Sequence, residues 1–194
     1  MMYGKNPGTE ATWQRIAPFS VGAELGVWKG YSTLKLARNA AMVTAVDAWS
    51  PVAYENSDEF GDYQSYLDRY SNLVGSNDPQ RFQDYYDAIY MEVVEKFKAE
   101  PKIQIKRMTT DEWFDSMGDS VKIDWIYVDA SHSYDGCLND LRRSLNVVKS
   151  GGHIYGDDYG KNKQGVTDAV DAFIKESGLT LNNFYTDQYE IRVP

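Results

Sequence analysis

Carboxylates that could hold a metal ion follow two apolar runs in the second half of the sequence. Asp129 comes directly after Ile123–Val128, and Asp157 and Asp158 come directly after 153–156. If the runs are neighbouring parallel strands, the three side chains meet at one edge, where they repel one another and raise one another's pKa. A divalent cation with oxygen ligands relieves that repulsion. The pattern predicts a metal site here, although Asp157 and Asp158 could instead cap a helix or face the solvent.

A glycine-containing turn near the start of the chain could bind a cofactor. Gly26 allows the backbone to turn tightly, and Gly30 allows a ligand to approach the amides at a helix start. Ser32 or Thr33 could cap that helix. The spacing differs from the three glycines of a dinucleotide site. Glu24, two residues before Gly26, would repel a pyrophosphate but suits a ligand with an amino group. Two glycines at a helix start can also be purely structural.

Asp47 ends a second apolar run and lies 23 residues after Glu24. A carboxylate at this point of an α/β sheet can accept hydrogen bonds from both hydroxyls of a ribose. The alternative is a solvated acid at a strand end. Taken with the glycine turn, Asp47 indicates a ligand that contains adenosine, and both NAD and S-adenosylmethionine meet that description.

These residues lie at the ends of elements that alternate between strand and helix. The alternation predicts an α/β fold with a mostly parallel sheet. The predicted strands are about 20–24, 42–47, 102–107, 123–128 and 153–156. The predicted helices are about 32–39, 134–149 and 165–176, and a terminal hairpin is expected over 179–185 and 188–193. The second helix carries one apolar face and ends before Gly151; that face is Leu138, Leu141, Leu145 and Val148.

Residues 51–100 interrupt this alternation. The segment holds eleven acidic and four basic residues and seven of the fifteen tyrosines. Apolar side chains recur at helical spacing on both sides of a turn near Gly75–Pro79, which predicts two amphipathic helices; the two stripes are Tyr63, Tyr66, Leu67, Tyr70 and Val74, and Phe82, Tyr85, Ile89, Val93 and Phe97. The stripes could simply pack on the sheet, or they could form a helical cap that lends tyrosines to a substrate pocket.

Length and composition favour one domain, 1–194, with 51–100 as its cap. The chain has 194 residues and a formal net charge of −9, which argues against a nucleic-acid partner. One cysteine, Cys137, excludes a disulfide framework. No apolar run approaches the roughly 20 residues of a membrane-spanning helix, and the first residues lack a secretory signal. We therefore expect a cytoplasmic protein that acts on a small molecule.

Four motifs resemble class I S-adenosylmethionine-dependent methyltransferases, and most closely the metal-dependent branch of macrocin and other sugar O-methyltransferases. The resemblance covers about residues 20–50 and 101–176. It implies a Rossmann-like methyltransferase fold, with a mostly parallel seven-stranded sheet flanked by helices. The motifs are Glu24-x-Gly26-x-x-x-Gly30-x-Ser32, Asp47, Asp129-x-x-His132-Ser133-Tyr134 and Lys149-x-Gly151-Gly152-x-x-x-Gly156-Asp157-Asp158.

The resemblance also implies a cofactor, S-adenosylmethionine, and a role for individual residues. Glu24, Gly26 and Gly30 would line its methionine end, and Asp47 would hold its ribose. Trp28 stands where many methyltransferases have a glycine. Mg²⁺ would be held by Asp129, Asp157 and Asp158. The full expected cofactor-binding set is Glu24, Gly26, Trp28, Gly30, Ser32, Asp47, Thr109, Thr110 and Asp129, with Asp111 as a further neighbour of the adenine.

The chemistry expected from these residues is Mg²⁺-assisted O-methylation. A divalent ion lowers the pKa of a hydroxyl and fixes its position, and two adjacent hydroxyls, as in a sugar diol or a catechol, could chelate it. Asp129 or His132 would accept the proton. Two alternatives are an NAD-dependent oxidoreductase or epimerase, and a binding module without catalysis. The aromatic-rich cap could also serve as the interface of a homo-oligomer.

Overall fold

A computed structural model describes residues 7–55, 58–118, 121–160 and 163–194. These residues form one seven-stranded sheet with the order β3-β2-β1-β4-β5-β7-β6. β1 to β5 pair in parallel, whereas β7 is antiparallel to both β5 and β6. The predicted parallel sheet and terminal hairpin are confirmed. The strands are β1 Val21–Leu25, β2 Met42–Asp47, β3 Ile103–Arg107, β4 Ile123–Val128, β5 Val148–Gly156, β6 Leu181–Phe184 and β7 Gln188–Arg192.

Helices cover both faces of the sheet. They are α1 Pro7–Trp13, α2 Tyr31–Leu36, α3 Tyr63–Val74, α4 Pro79–Phe97, α5 Thr110–Ser116, α6 Tyr134–Val147 and α7 Gln164–Ser177, with short 3-10 helices at Pro51–Tyr54 and Asp58–Phe60. No helix in the described ranges is long and apolar enough to cross a membrane.

Each face of the sheet carries its own hydrophobic core. On β4, Ile126 packs with α5, α6 and α7, while Trp125 and Tyr127 pack with α2, α3 and α4. Alternate side chains of this central strand are therefore buried on both sides, as its nearly continuous apolar run predicts. The parallel strands end together at one edge, and the loops that follow β1, β2, β3, β4 and β5 meet there.

The two helices predicted in 51–100 are present, and they connect β2 to β3. α3 begins after Asp62, whose side chain accepts a hydrogen bond from the Ser65 amide, and it ends at Gly75 in a left-handed conformation. α4 begins after Asp78 and buries a stripe of side chains in the core: Phe82, Tyr86, Ile89, Val93 and Phe97. Tyr86, rather than the predicted Tyr85, belongs to the buried stripe.

Three local predictions are wrong. The helix predicted over 134–149 ends at Val147, and Val148 begins β5, so Gly151 lies within the strand rather than after the helix. Val148 fits either element because its side chain is buried in the same core. Neither Ser32 nor Thr33 caps α2, because its first flanking residue is Gly30, and the Thr33 hydroxyl donates to Glu24 instead.

Candidate active site

A cavity of about 780 Å³ opens where the parallel strands end. Its volume is within the range of small-molecule sites, roughly 300–1,000 Å³. The loops after β1 to β4 form one side, and the cap, from Pro51–Tyr54 through α4, forms the other. Eight of the residues predicted to bind the cofactor or take part in catalysis line it: Gly26, Trp28, Asp47, Thr109, Thr110, Asp111, Asp129 and His132.

Position 26 requires a glycine because two loops approach each other closely there. Its φ is +84°, and a Cβ atom placed on it would lie 1.9 Å from the Asp129 carbonyl oxygen. The Asp129 amide donates to the Leu25 carbonyl at 2.9 Å, so the loops after β1 and β4 are joined here. This packing confirms the tight turn predicted at Gly26 and brings Asp129 to the floor of the cavity.

Asp47 holds the glycine turn through backbone amides. Its Oδ2 accepts from Val27 and Trp28, both at 2.9 Å, and its Oδ1 accepts from Trp49 at 2.7 Å. Burial raises the pKa of Asp47, and these three hydrogen bonds oppose the shift. A carboxylate offers about four acceptor positions, so Oδ1 retains the capacity to accept one further donor. Trp28 and Trp49 have positive φ, 49° and 41°.

Three residues of the expected cofactor set, Glu24, Gly30 and Ser32, are not among the described residues that line the cavity. Glu24 is fully buried beneath the turn and accepts a hydrogen bond from Thr33. Desolvation raises the pKa of Glu24 to about 8, against the effect of nearby hydroxyls. Gly30 faces the core: its φ is +73°, and a Cβ on it would lie 2.5 Å from the Phe97 ring.

Asp129, His132 and Asp158 form a cluster that could hold a metal ion. Each offers one ligand atom, and these atoms lie within 4.8 Å of one another. The Nε2 atom of His132 is 3.1 Å from Asp158 Oδ2 and 3.8 Å from Asp129 Oδ1. The two predicted strand ends therefore meet. Histidine is part of the cluster in place of one predicted carboxylate.

Asp157 differs from the prediction because its carboxylate turns back into the protein. Its Oδ1 accepts from the Asp158 amide at 2.8 Å, and the Tyr127 hydroxyl donates to Oδ2 at 3.4 Å. Asp158 has a φ of 65°, in the left-handed region, and its carboxylate lies beside His132 instead. Burial, followed by the charge of Asp129, raises the pKa of Asp157 to about 7. The two adjacent aspartates are thus in different environments.

His132 is surrounded by carboxylates on both ring nitrogens. Its Nδ1 lies 3.2 Å from Glu59 Oε1, an acid that the sequence did not single out. Burial alone lowers the pKa of His132, but Asp129, Asp158 and Glu59 outweigh that effect and raise it to about 11. The ring is therefore an imidazolium near neutral pH when no cation is bound, and an imidazolium cannot accept a proton.

The cap contributes an aromatic wall to the cavity. Tyr54 and Tyr66 stack with ring centroids 4.2 Å apart, and the Trp28 ring lies 5.9 Å from that of Tyr86. The cap supplies Tyr54, Tyr66, Tyr70, Phe82, Tyr85 and Tyr86 to this wall, Trp28 of the glycine turn completes it, and Val52, Leu73 and Val74 extend it. The cap helices thus both pack on the sheet and line the cavity, so the two interpretations drawn from the sequence hold together.

The end of the cavity after β3 is built by the start of α5. Thr109 and Glu112 form a capping box, in which each side chain accepts from the other residue's backbone amide. Asp111 accepts from Asn139 at 2.8 Å and from Arg143 at 3.0 Å. Met108 and Asn139 also line this end and were not expected. The T-x-x-E spacing in the sequence could have predicted the helix start.

Comparisons with known proteins agree with this architecture. A model of the methyltransferase domain matches residues 23–159. No curated protein matches the chain. A proposed O-methyltransferase from Klebsiella pneumoniae is similar in structure, with a TM-score of 0.63 and 17% identity over 97% of this chain and 80% of that one.

Two further solved structures share the fold. A proposed methyltransferase from Streptococcus mutans, in complex with S-adenosylhomocysteine (SAH), has a TM-score of 0.60 at 14% identity and covers 98% of both chains. The O-methyltransferase NovP has a TM-score of 0.57 at 17% identity, over 97% of this chain and 77% of that one.

Proposed function

The chain belongs to the methyltransferase-domain family and is an S-adenosylmethionine-dependent methyltransferase, and from that premise we propose that it methylates a hydroxyl oxygen of a small molecule with the help of a divalent cation. The observation that carries the proposal is the cluster of Asp129, His132 and Asp158 beside a cavity with an aromatic wall. The family match favours S-adenosylmethionine over NAD. O-methyltransferases among the similar structures support a hydroxyl acceptor by analogy.

The cavity lining fits the cofactor at several points. The turn at Gly26 and Trp28 would receive the methionine end, and the free capacity of Asp47 Oδ1 would receive a ribose hydroxyl. Thr109 and Thr110 would lie near the adenine. Glu24 would support the turn from beneath rather than line the cavity, because its carboxylate is buried against Thr33. When bound, the cofactor supplies an electron-poor methyl group to an oxygen aligned behind it.

The cluster fits a divalent cation by the chemistry of its donors. Carboxylates from two neighbouring strand ends, Asp129 and Asp158, would hold it, and Asp157 lies close enough to raise the local negative charge. A cation there would lower the pKa of an acceptor hydroxyl. Without the cation, the surrounding carboxylates raise the pKa of His132 and hold it as an imidazolium. His132 could join the two aspartates as a ligand only after losing that proton.

Asp129 is our candidate for the proton acceptor. It lines the cavity, and burial raises its pKa while the hydrogen bond from His132 opposes the shift. Without a bound cation, Asp129, Asp158 and Glu59 raise the pKa of His132 to about 11, and the imidazolium would orient these acids rather than accept a proton.

The experiment is a measurement of SAH formation from S-adenosylmethionine with a panel of diol acceptors, in Mg²⁺ and in excess EDTA. We expect turnover in Mg²⁺ and at least a tenfold loss in EDTA. Asp158→Asn should lose most of the Mg²⁺-dependent rate and keep cofactor binding. Asp168→Asn, on the exposed side of α7, is the matched control and should behave as the wild type.

Two outcomes would contradict the proposal. Full activity in EDTA would exclude the cation, and cofactor binding without transfer to any hydroxyl acceptor would exclude O-methylation. Transfer to an amine acceptor alone would assign the enzyme to N-methylation. The proposal specifies a small-molecule acceptor rather than a nucleic acid.

A further inference from the structure

Trp49 holds a strained backbone conformation next to the cavity. Its φ is 41°, in the left-handed region that a bulky residue rarely adopts, and its side chain is fully buried. Such strain persists only where the surrounding structure enforces it, and it concentrates at functional sites. Trp49 is not among the described residues that line the cavity, although both Ala48 and Ser50 are. A role of Trp49 at the site would therefore be exerted through other residues.

The polar groups of Trp49 bind three different parts of the site. Its amide donates to Asp47 Oδ1 at 2.7 Å, and its indole Nε1 donates to the Trp28 carbonyl at 2.9 Å. Its carbonyl accepts from Arg107 Nη2 at 3.0 Å and from Gln83 Nε2 at 3.3 Å. Gln83 belongs to α4. One residue thus joins the loop after β2, the glycine turn and the main helix of the cap.

The indole hydrogen bond holds the second side of Trp28. The Trp28 amide donates to Asp47 Oδ2 at 2.9 Å, and the Trp28 carbonyl accepts from Trp49, so both peptide groups that flank Trp28 are fixed. Trp28 has a positive φ of its own, 49°, and it lines the cavity. The Trp49 ring packs in turn on the Tyr90 ring of α4, with centroids 5.2 Å apart. The conformation of the glycine turn therefore depends on the side chain of Trp49.

We propose that Trp49 is a positioning residue for S-adenosylmethionine, which fixes the glycine turn through the Trp28 carbonyl and anchors it to α4. The inference rests on the proposed placement of the cofactor in this cavity. A turn that is fixed before the cofactor arrives does not have to be ordered on binding, and the avoided cost raises affinity. Loss of the indole hydrogen bond should therefore weaken cofactor binding, although Trp49 itself would not touch the cofactor.

Trp49→Phe tests the inference, because it keeps an aromatic ring against Tyr90 and removes the indole N–H. The matched control is Trp125→Phe. Trp125 is also buried, and its Nε1 donates at the same distance, 2.9 Å, to Ser20 Oγ, which lies before β1 at the opposite edge of the sheet. Calorimetry measures SAH binding to the wild type and to both variants, and urea unfolding measures their stability without cofactor.

We expect Trp49→Phe to weaken SAH binding at least tenfold and Trp125→Phe to weaken it less than threefold, with comparable losses of unfolding free energy. A purely structural role would weaken SAH binding equally in the two variants, and that result would overturn the inference.

A second pair of variants tests the anchor on α4 and leaves the buried tryptophans in place. Gln83 and Gln80 each donate to the aspartate four residues later, Asp87 and Asp84. Gln83 also donates to the Trp49 carbonyl and accepts from Ser50 Oγ at 2.9 Å. We expect Gln83→Met to weaken SAH binding several-fold and Gln80→Met to leave it within twofold of the wild type. Unchanged SAH binding in Gln83→Met would contradict the anchoring role.

The outcomes separate this inference from the proposed function. If the wild type binds SAH and the variants of each pair bind it equally, Trp49 has no positioning role, whereas the proposed function stands. If the wild type binds no SAH, the placement of the cofactor itself fails.

Discussion

Glu24 carries an ionisable carboxyl group into the protein interior beneath the glycine turn. Its side chain is fully buried, and its Oε1 atom has no hydrogen-bond partner among the described residues. Burial raises its pKa to about 8, so the folded protein keeps this group protonated at neutral pH. An unfolded chain would ionise it near the ordinary value of about 4.3. Glu24 therefore opposes folding as the pH rises.

The direction in which the free energy of unfolding changes with pH follows from proton binding to Glu24 in the two states. Between about pH 4.5 and pH 8 the unfolded chain binds fewer protons than the folded one, so the free energy of unfolding falls as the pH rises. Glu24→Gln removes this contribution, and each pKa unit is worth about 1.4 kcal/mol. We therefore expect the unfolding free energy of the variant, relative to that of the wild type, to rise by a few kcal/mol between pH 5 and pH 8. Urea unfolding of the cofactor-free protein measures this difference.

The comparison has an exposed control, Glu92→Gln on α4, which should follow the wild type at both pH values. A difference between Glu24→Gln and the wild type that does not change with pH would show that Glu24 is not protonated in the folded state.

Several residue roles could be predicted from the sequence, and others could not. Gly26, Asp47 and Asp129 line the cavity as expected because residues at parallel strand ends share one edge. The sequence did not reveal Glu59 as a partner of His132, since the two lie 73 positions apart. Nor could it distinguish Asp157 from Asp158, because that difference depends on one backbone angle and on Tyr127.

At the scale of elements, one contact joins the glycine turn to the cap. Gly30, at the start of α2, has no space for a side chain because the Phe97 ring of α4 fills it. Gly75, at the end of α3, has a similar φ of +82°, but nothing lies within 4 Å of the position of its missing Cβ. The two glycines thus separate the cost of a left-handed backbone from the cost of a steric clash.

We expect Gly75→Ala to lose about 1–2 kcal/mol of unfolding free energy from backbone strain. Gly30→Ala should lose a further ~1–3 kcal/mol, because the added methyl group overpacks the contact with Phe97. Urea unfolding of both variants measures the difference. The double variant Gly30→Ala/Phe97→Leu should recover part of the extra loss, and equal losses in the two single variants would contradict the account.

Sequence periodicity predicted most elements but not all of their ends. α3 and α4 were found because their apolar stripes recur over many turns. α1 and α5, each of seven residues, are too short for periodicity to identify. The end of α6 was misplaced because Val148 is apolar and buried in either element, so only the pairing of β5 with β4 decides its conformation.

At the scale of the whole molecule, the sheet order places every proposed functional group at one edge. The strand order reverses between β1 and β4, where the chain crosses from one half of the sheet to the other. Ligands bind at such a switch point in open α/β sheets. The alternating elements predicted a mostly parallel sheet. The full strand order and the packing of the cap across the cavity depend on long-range contacts that no local pattern contains.

The cavity at the ends of the parallel strands is the proposed binding site for S-adenosylmethionine. Calorimetric titration of the purified protein with S-adenosylmethionine, and separately with NADH, tests it most directly. We expect saturable binding of one S-adenosylmethionine per chain and no saturable binding of NADH. Saturable binding of NADH with no binding of S-adenosylmethionine would contradict the assignment of this cavity to S-adenosylmethionine.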